Sequence, residues 1–280
     1  MTDEIRRLTV GEAVVHVINI GDVQEDLNGW FDLTAEEQAR HQHLLAQPLR
    51  FVIQNIHVAL SGVSLLVDAG LYDYPPDAPQ LIPGYYPTLD LFAGLEAIGV
   101  KPETITHLII THAHGDHFNA LSELHEGEWK LCFPNARHYL GQGDWEAMQP
   151  ELADPNSLQS RTFGMVQQQG LLEIVTGLLD LGHGIQIVPT PGESPGHQAV
   201  RLESQGQLLY CIGDLYHLPA EAEFPELFVP WTNRDANHIS RQQLNEAALA
   251  ENALLIATHI HEFGRIERTE TGWHWANVQE

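Results

Sequence analysis

The stretch "ITHAHGDHFNAL", residues 110–121, sets His112, His114, Asp116 and His117 within six positions. Imidazoles this close repel one another once protonated and make a poor hydrophobic core. A bound cation would make the crowding favourable. Imidazole nitrogen and carboxylate oxygen without thiolate suit Zn²⁺ first, and also Fe²⁺, Mn²⁺ or Co²⁺. The residues that lead into the cluster, "THLIIT" at 106–111, read as a buried strand. A loop leaving such a strand is held at its base, so side chains two apart can converge on one ion. Asp116 and His117 can then face a second.

Further donors should lie at later strand ends. His197 sits in "TPGESPGH", Asp214 in "CIGDLYH" and His259 in "LLIATH", each beside an apolar, strand-like run. Taken singly, each has a bland alternative: a helix-capping aspartate or a half-exposed histidine. Taken together with the cluster they make seven nitrogen and oxygen donors, enough for two ions if the strands end along one edge of a sheet.

The elements that must position them follow from hydrophobic periodicity and turn residues. Residues 13–21 and 56–70 are rich in β-branched residues, the second run broken by a Ser-Gly turn. Between them, residues 34–47 open with Thr34 and Glu37 at the spacing of a helix capping box. A proline- and tyrosine-rich loop fills 71–87, and a helix is expected over roughly 88–98. Beyond the cluster, "ARHYLG" reads as a strand, "GDWEAM" as a helix start, and residues 184–191 as a strand ending in "GESPGH". "AVRLESQGQLLYCIGD" reads as a hairpin, 241–251 as a helix, "ALLIATH" as a strand and "GRIERTETGWHWAN" as a terminal hairpin. Hairpins separated by occasional helices predict sheets covered by helices rather than the regular βαβ alternation of a dinucleotide fold. Neither GxGxxG nor GxxxxGK[ST] occurs, and no Gly-x-Ser-x-Gly.

Composition bounds the rest. The 280 residues are 43% hydrophobic, ample for one large domain. A net charge of −25, with 38 acidic against 13 basic residues spread along the chain, would repel a phosphate backbone and argues against nucleic acid. No run approaches the ~18 to 20 apolar residues of a membrane span. The start has no signal-peptide pattern, so a cytoplasmic protein is expected. Cys132 and Cys211 stand apart in apolar contexts and read as buried thiols.

From about residue 54 to 274 the chain resembles the metallo-β-lactamase-fold hydrolases. "LLVDAG", "THAHGDH", "TPGESPGH", "GD" and "TH" occur in that family's order and spacing. The resemblance implies an α/β fold, a four-layer αββα sandwich with the metals at the edge between its sheets. The whole chain, 1–280, would then be one such domain, with an N-terminal extension and helical insertion at about 1–50. Carried over residue by residue, the resemblance implies two divalent ions. His112, His114 and His197 would hold one, and Asp116, His117 and His259 the other, with Asp214 bridging. Asp68 would orient a ligand histidine. A water activated between two ions would be the nucleophile of a hydrolysis, and Asp116 would take up a proton as an intermediate collapses.

Within that superfamily, the bridging aspartate argues against antibiotic hydrolysis. A C-terminal end with only Arg265 and Arg268 as basic residues argues against glutathione thioesters. What remains is the N-acyl homoserine lactonase and methyl parathion hydrolase branch, which the chain resembles in its N-terminal stretch and in "GD-x-x-H". The lactonases carry a substrate-contacting tyrosine three residues after the bridging aspartate. Here His217 stands there with Tyr216 beside it, so both are candidate catalytic residues. Lactones or carboxylic esters are the expected small-molecule substrates, with phosphotriesters as the alternative. From other classes, a metal-containing binding or regulatory protein with little turnover and a di-iron redox protein are further alternatives, and a homodimer is allowed for. Trp30, Phe31, Tyr72, Tyr74, Tyr85, Tyr86, Phe224, Phe228 and Trp231 are candidates for the cleft wall or an interface. His41, His43 and His261 are expected to lie outside the metal set.

Overall fold

A computed structural model describes residues 4–26, 29–46, 48–70, 85–270 and 272–278. The expected loop tyrosines Tyr72 and Tyr74 and the side chain of Tyr85 lie outside the described residues.

Two mixed sheets make the frame. The first runs Ile5–Val10, Ala13–Asp26, Pro48–Leu60, Val63–Val67, His107–Ile109, Arg137–Gly141, Leu172–Val175, with Tyr85–Pro87 pairing off its second strand. The second runs Leu179–Gly182, Ile185–Pro189, Gln198–Ser204, Gln207–Cys211, Leu254–Ile256, Phe263–Arg268, Trp273–Val278. Alternation along the strands decides the layers, because successive side chains point to opposite faces. Val15, Val17, Val58, Leu65, Val67 and Ile109 of the first sheet pack with Ile187, Val200, Leu202, Leu209 and Ile256 of the second. The first sheet's other face, through Ile18, Ile20, Ile53, Leu66 and Leu108, packs on Leu91, Leu95, Phe118, Phe163 and Val166. The second sheet's other face, through Tyr210, Leu255 and Ala257, packs on Leu244 and Ala248 of the helix Arg234–Ala250. Helix, sheet, sheet, helix: this is the αββα sandwich.

Local signals explain several boundaries. Thr34 and Glu37 form the expected capping box, and the helix Ala35–Arg40 follows. The helix expected over 88–98 starts at Leu91 because the Asp90 carboxylate caps the amides of Phe92 and Ala93. The helix expected at 241–251 begins seven residues earlier, at Arg234, behind an Asn233 cap. Its buried positions Asn237, Ser240, Arg241, Leu244, Asn245 and Ala248 follow helical spacing, but most are polar, so hydrophobic periodicity missed the first two turns. The segment expected as an N-terminal extension is largely sheet: Ala13–Asp26 runs beside Pro48–Leu60 in an antiparallel ladder from Val14–Ala59 to Asp26–Pro48. No described helix is long and apolar enough to cross a membrane.

Candidate metal centre

One edge of the sandwich collects strand ends from both sheets. Asp68 follows Val63–Val67, and the cluster at 112–117 follows its parallel neighbour His107–Ile109. In the second sheet Asp214 follows Gln207–Cys211, and His259 follows its parallel neighbour Leu254–Ile256. His197 precedes Gln198–Ser204, which runs antiparallel to Gln207–Cys211 and therefore starts at the same edge. Strand direction thus brings eight side chains from five segments of the chain to one place.

Their donor atoms fall into two neighbouring groups. His112, His114, Asp214 and Glu193 form one and Asp116, His117 and His259 the other, each with atoms within 4.8 Å of one another. Asp214 stands between them: its Oδ2 is 3.3 Å from His117 Nε2, 3.0 Å from His259 Nε2 and 3.6 Å from His112 Nε2. His197 borders the first group, its ring centroid 5.2 Å from that of His112.

Hydrogen bonds behind the rings orient them. His117 Nδ1 donates to Asp68 at 2.9 Å, His259 Nδ1 to the Val52 carbonyl at 2.9 Å, and His197 Nδ1 to the Thr190 carbonyl at 3.0 Å. Each bond places the remaining lone pair on Nε2. In His117 and His259 that nitrogen faces Asp214, whereas in His197 it accepts from the Asp214 amide at 3.1 Å, so His197 stands at the border of the donor groups rather than within one. Asp68 also accepts from the Thr111 amide at 2.7 Å and hydroxyl at 2.9 Å, and it holds a left-handed φ of 61° to do so. Such a conformation is costly for a non-glycine residue and persists where surrounding contacts over-determine it. Gly213, at φ 53°, has its own reason to be glycine: a β-carbon there would come within 2.8 Å of His197 Nε2 and of Thr111.

The site has the electrostatics of a cation cradle. Burial alone would push the Asp214 carboxyl upward, yet His117, His259 and His112 hold it well below the usual carboxylate range. Burial opposes charge on His117, but Asp214, Asp116 and Asp68 favour a positive charge there strongly enough to raise it well above the ordinary histidine value. His117 Nε2 and Asp214 Oδ1 are buried without a hydrogen-bonding partner. Buried polar atoms are normally satisfied, so this pair of open donors is what a bound ion would complete. The residues present fit divalent metal ions.

Three residues that motif reading passed over complete the scaffold. Asp144 is buried and accepts from the Ala113 amide at 2.8 Å, the Ser194 hydroxyl at 2.8 Å and the Gly196 amide at 2.7 Å, tying the two histidine loops together. Glu221 accepts from the amides of His217 and Leu218 at 2.9 Å and pairs with the Arg241 guanidinium. Glu193, in the middle of "TPGESPGH", turns into the site. Its motif was read for His197, and nothing in the sequence says which side chain of a turn faces inward.

Above the metal groups opens a cavity of about 570 Å³, lined by His114, Asp116, Asp214, His217 and His259 on its floor and by Val23, Trp30, Phe51, Phe118, Leu158 and Trp231 on its walls. His217 therefore faces this cavity. Tyr216 does not: it is 1% exposed, packs with Trp275 in the core behind the second sheet, and its hydroxyl accepts from Asn245 at 2.8 Å. Both lie in the loop between the strand Gln207–Cys211 and the short helix Ala220–Glu223, whose backbone turns Tyr216 into the core and His217 toward the cavity. Of the aromatic candidates, Trp30 and Trp231 line it, whereas Phe31 and Phe228 are core, Phe224 packs on His41 and Tyr86 is exposed. Phe51, unexpected from the sequence, lines it from the end of a strand. His41 pairs with Glu226 at 2.8 Å, apart from the metal groups.

Comparison with known proteins agrees with this geometry. The family model of the metallo-beta-lactamase superfamily matches residues 50–259. The chain belongs to that superfamily. Among curated relatives, the N-acyl homoserine lactonase AttM of Azorhizobium caulinodans is 30% identical over 133 residues, 45% of this chain and 47% of AttM. The N-acyl homoserine lactonase of Bacillus cereus is 26% identical over 171 residues, 59% of this chain and 60% of the relative. The matches thus span about half the length of these relatives. Among solved structures, the hydrolase AbOPH of the beta lactamase superfamily superposes with a TM-score of 0.81 at 17% identity, over 100% of this chain and 99% of the other. The dizinc quorum-quenching lactonase AidC does so with a TM-score of 0.77 at 17% identity, over 99% and 98%. At such identities the likeness speaks for the fold. Membership of the superfamily and the donor groups together imply divalent metal ions.

Proposed function

We propose that this protein is a dinuclear metal-dependent hydrolase of lactones or carboxylic esters. The observation that carries the reading is a floor of two adjoining donor groups beneath a cavity whose walls are apolar. His112, His114 and His197 would hold one ion, Asp116, His117 and His259 the second, with Asp214 shared. When bound, such ions lower the pKa of water and polarise a carbonyl oxygen. Zinc suits the donor set, as do iron, manganese and cobalt.

The chain's own residues would do the rest. Val23, Trp30, Phe51 and Trp231 offer apolar surface to the acyl portion of a substrate, which would set its reactive carbon over the floor and exclude bulk water. Asp116, partly open to the cavity, can hold a proton at its carboxylate during bond cleavage. His217 can donate a hydrogen bond to the oxygen that gains charge, and Glu221, bonded to its backbone amide, keeps it in place. The lactonase relatives favour a lactone over a phosphotriester as the first substrate class to try.

The test is metal analysis of the purified chain followed by a panel of lactones, aryl esters and phosphotriesters. Two ions per chain and hydrolysis of lactones or esters are expected. Full activity in metal-free protein, or turnover of phosphotriesters alone, would overturn the reading. In the same panel His217→Ala should lower kcat/KM by roughly 10- to 10³-fold, the range for a lost donor or acid, with metal content unchanged.

A further inference from the structure

Glu193 is a buried carboxylate with an unusual set of neighbours. The Trp231 indole N–H donates to its Oε1 and the Thr232 hydroxyl donates to its Oε2 at 2.9 Å. Both donors are neutral. The same Oε1 lies 3.6 Å from His114 Nδ1 and 3.6 Å from His217 Nε2. Among the described residues no arginine or lysine pairs with Glu193, and the buried guanidinium nearby in the chain's fold, Arg241, belongs to Glu221. An anion so enclosed needs a compensating cation.

We propose that Glu193 is an oxygen ligand of the divalent ion held by His112 and His114, and that it makes this position favour Mn²⁺ or Fe²⁺ relative to Zn²⁺. The inference rests on the metal centre proposed above. Three observations lead to it. The donor atoms of His112, His114, Glu193 and Asp214 lie within 4.8 Å of one another, the spread of ligands that share an ion. A carboxylate oxygen accepts two bonds, and the hydrogen bond that each Glu193 oxygen receives leaves room for another partner. Charge completes the case. Asp68, Asp116, Asp144 and Asp214 already make the site anionic, and the buried Glu193 adds a further negative charge beside His114, which favours a divalent cation there. Imidazole suits zinc, whereas each added carboxylate shifts preference toward manganese and other harder ions.

The alternative role for the same contacts is mechanical: Glu193 would pin the cavity wall at Trp231 and have no part in metal binding. The two roles separate in titrations of metal-stripped full-length protein with Mn²⁺, read by electron paramagnetic resonance, with Zn²⁺ by competition, and with Co²⁺ by visible absorption. Glu193→Gln is expected to weaken Mn²⁺ binding by about 10- to 100-fold, on the scale of a lost metal partner, to weaken Zn²⁺ less, and to change the Co²⁺ spectrum. Trp231→Phe, which removes the indole donor and keeps the carboxylate, should leave Mn²⁺ affinity unchanged. If Glu193→Gln does not fold, Glu193→Asp carries the same test, since it withdraws the oxygens and keeps the charge. Wild-type affinities and an unaltered Co²⁺ spectrum in Glu193→Gln overturn the proposal alone. So does a Trp231→Phe variant that reproduces the loss. A wild-type chain that binds none of the three ions overturns the metal centre and this inference together.

Discussion

Asp214 is the residue on which the two donor groups depend, because its carboxylate approaches histidines of both. Asp214→Ala should cost turnover at least ~10²-fold, the scale of losing a major charge stabiliser, and one of the two ions should be absent by mass spectrometry. Retention of both ions and full turnover would mean that Asp214 bridges nothing. A second residue, far from chemistry, should contribute to acid stability. His138 is fully buried in the strand Arg137–Gly141, and burial lowers its pKa to about 4 from the usual 6.5. Below pH 6.5 the unfolded chain takes up a proton that the folded chain refuses until about pH 4. Stability is therefore intact above that window and falls as pH drops through it, by roughly 3 kcal/mol in all. His57, buried and likewise lowered to about 4, acts in the same window, so His138→Leu should reduce rather than abolish the slope of urea-derived stability between pH 6.5 and 4, measured on chelated protein so that metal loss does not contribute. An unchanged slope would remove His138 from the account.

At the scale of elements, one helix braces the loop that carries Asp214 and His217. Arg241, on the helix Arg234–Ala250, donates to the carbonyls of Leu215 at 2.8 Å and Leu227 at 3.0 Å and pairs with Glu221. Its guanidinium lies 4.7 Å from the ring centre of Tyr216 and 4.8 Å from that of Phe228. Arg241→Met keeps the stem and removes the charge, leaving Glu221 buried and unpaired. The expected loss is about 3–5 kcal/mol in urea unfolding, the cost of breaking a buried pair from one side. A loss below about 1 kcal/mol would place this pair with exposed salt bridges in effect. Asp144 plays the corresponding part between the two histidine loops, accepting from Ala113, Ser194 and Gly196.

For the whole molecule, the candidate metal centre lies where two sheets meet that are otherwise held together by apolar contacts. Asp68, His112 and His117 come from the first sheet's edge, and His197, Asp214 and His259 from the second's. Ions that bind the folded chain and not the unfolded one stabilise it by mass action, about 4 kcal/mol per ion at a thousandfold excess over Kd. Chelation should therefore lower the melting temperature as well as abolish hydrolysis, and added zinc, manganese or cobalt should restore both. Equal melting temperatures with and without chelator would contradict a centre shared between the sheets.

What the chain carries by itself is the donor set and the class of fold. The spacing of His112, His114, Asp116 and His117 after an apolar run, the cap at Thr34 and the hairpin through residues 205–206 are local signals, and local signals survive in one dimension. Tertiary structure alone decided which side chains face the site. Tyr216 and His217 are neighbours in sequence, yet one is core and the other lines the cavity. Glu193 and Asp144 come to the centre through loop conformation, and Phe51 reaches the cavity from a strand end more than sixty residues before His114, Asp116 and His259 on its floor. Orientation depends on how two sheets pack and where backbone hydrogen bonds close, and those long-range constraints leave no periodic trace in the residues they fix.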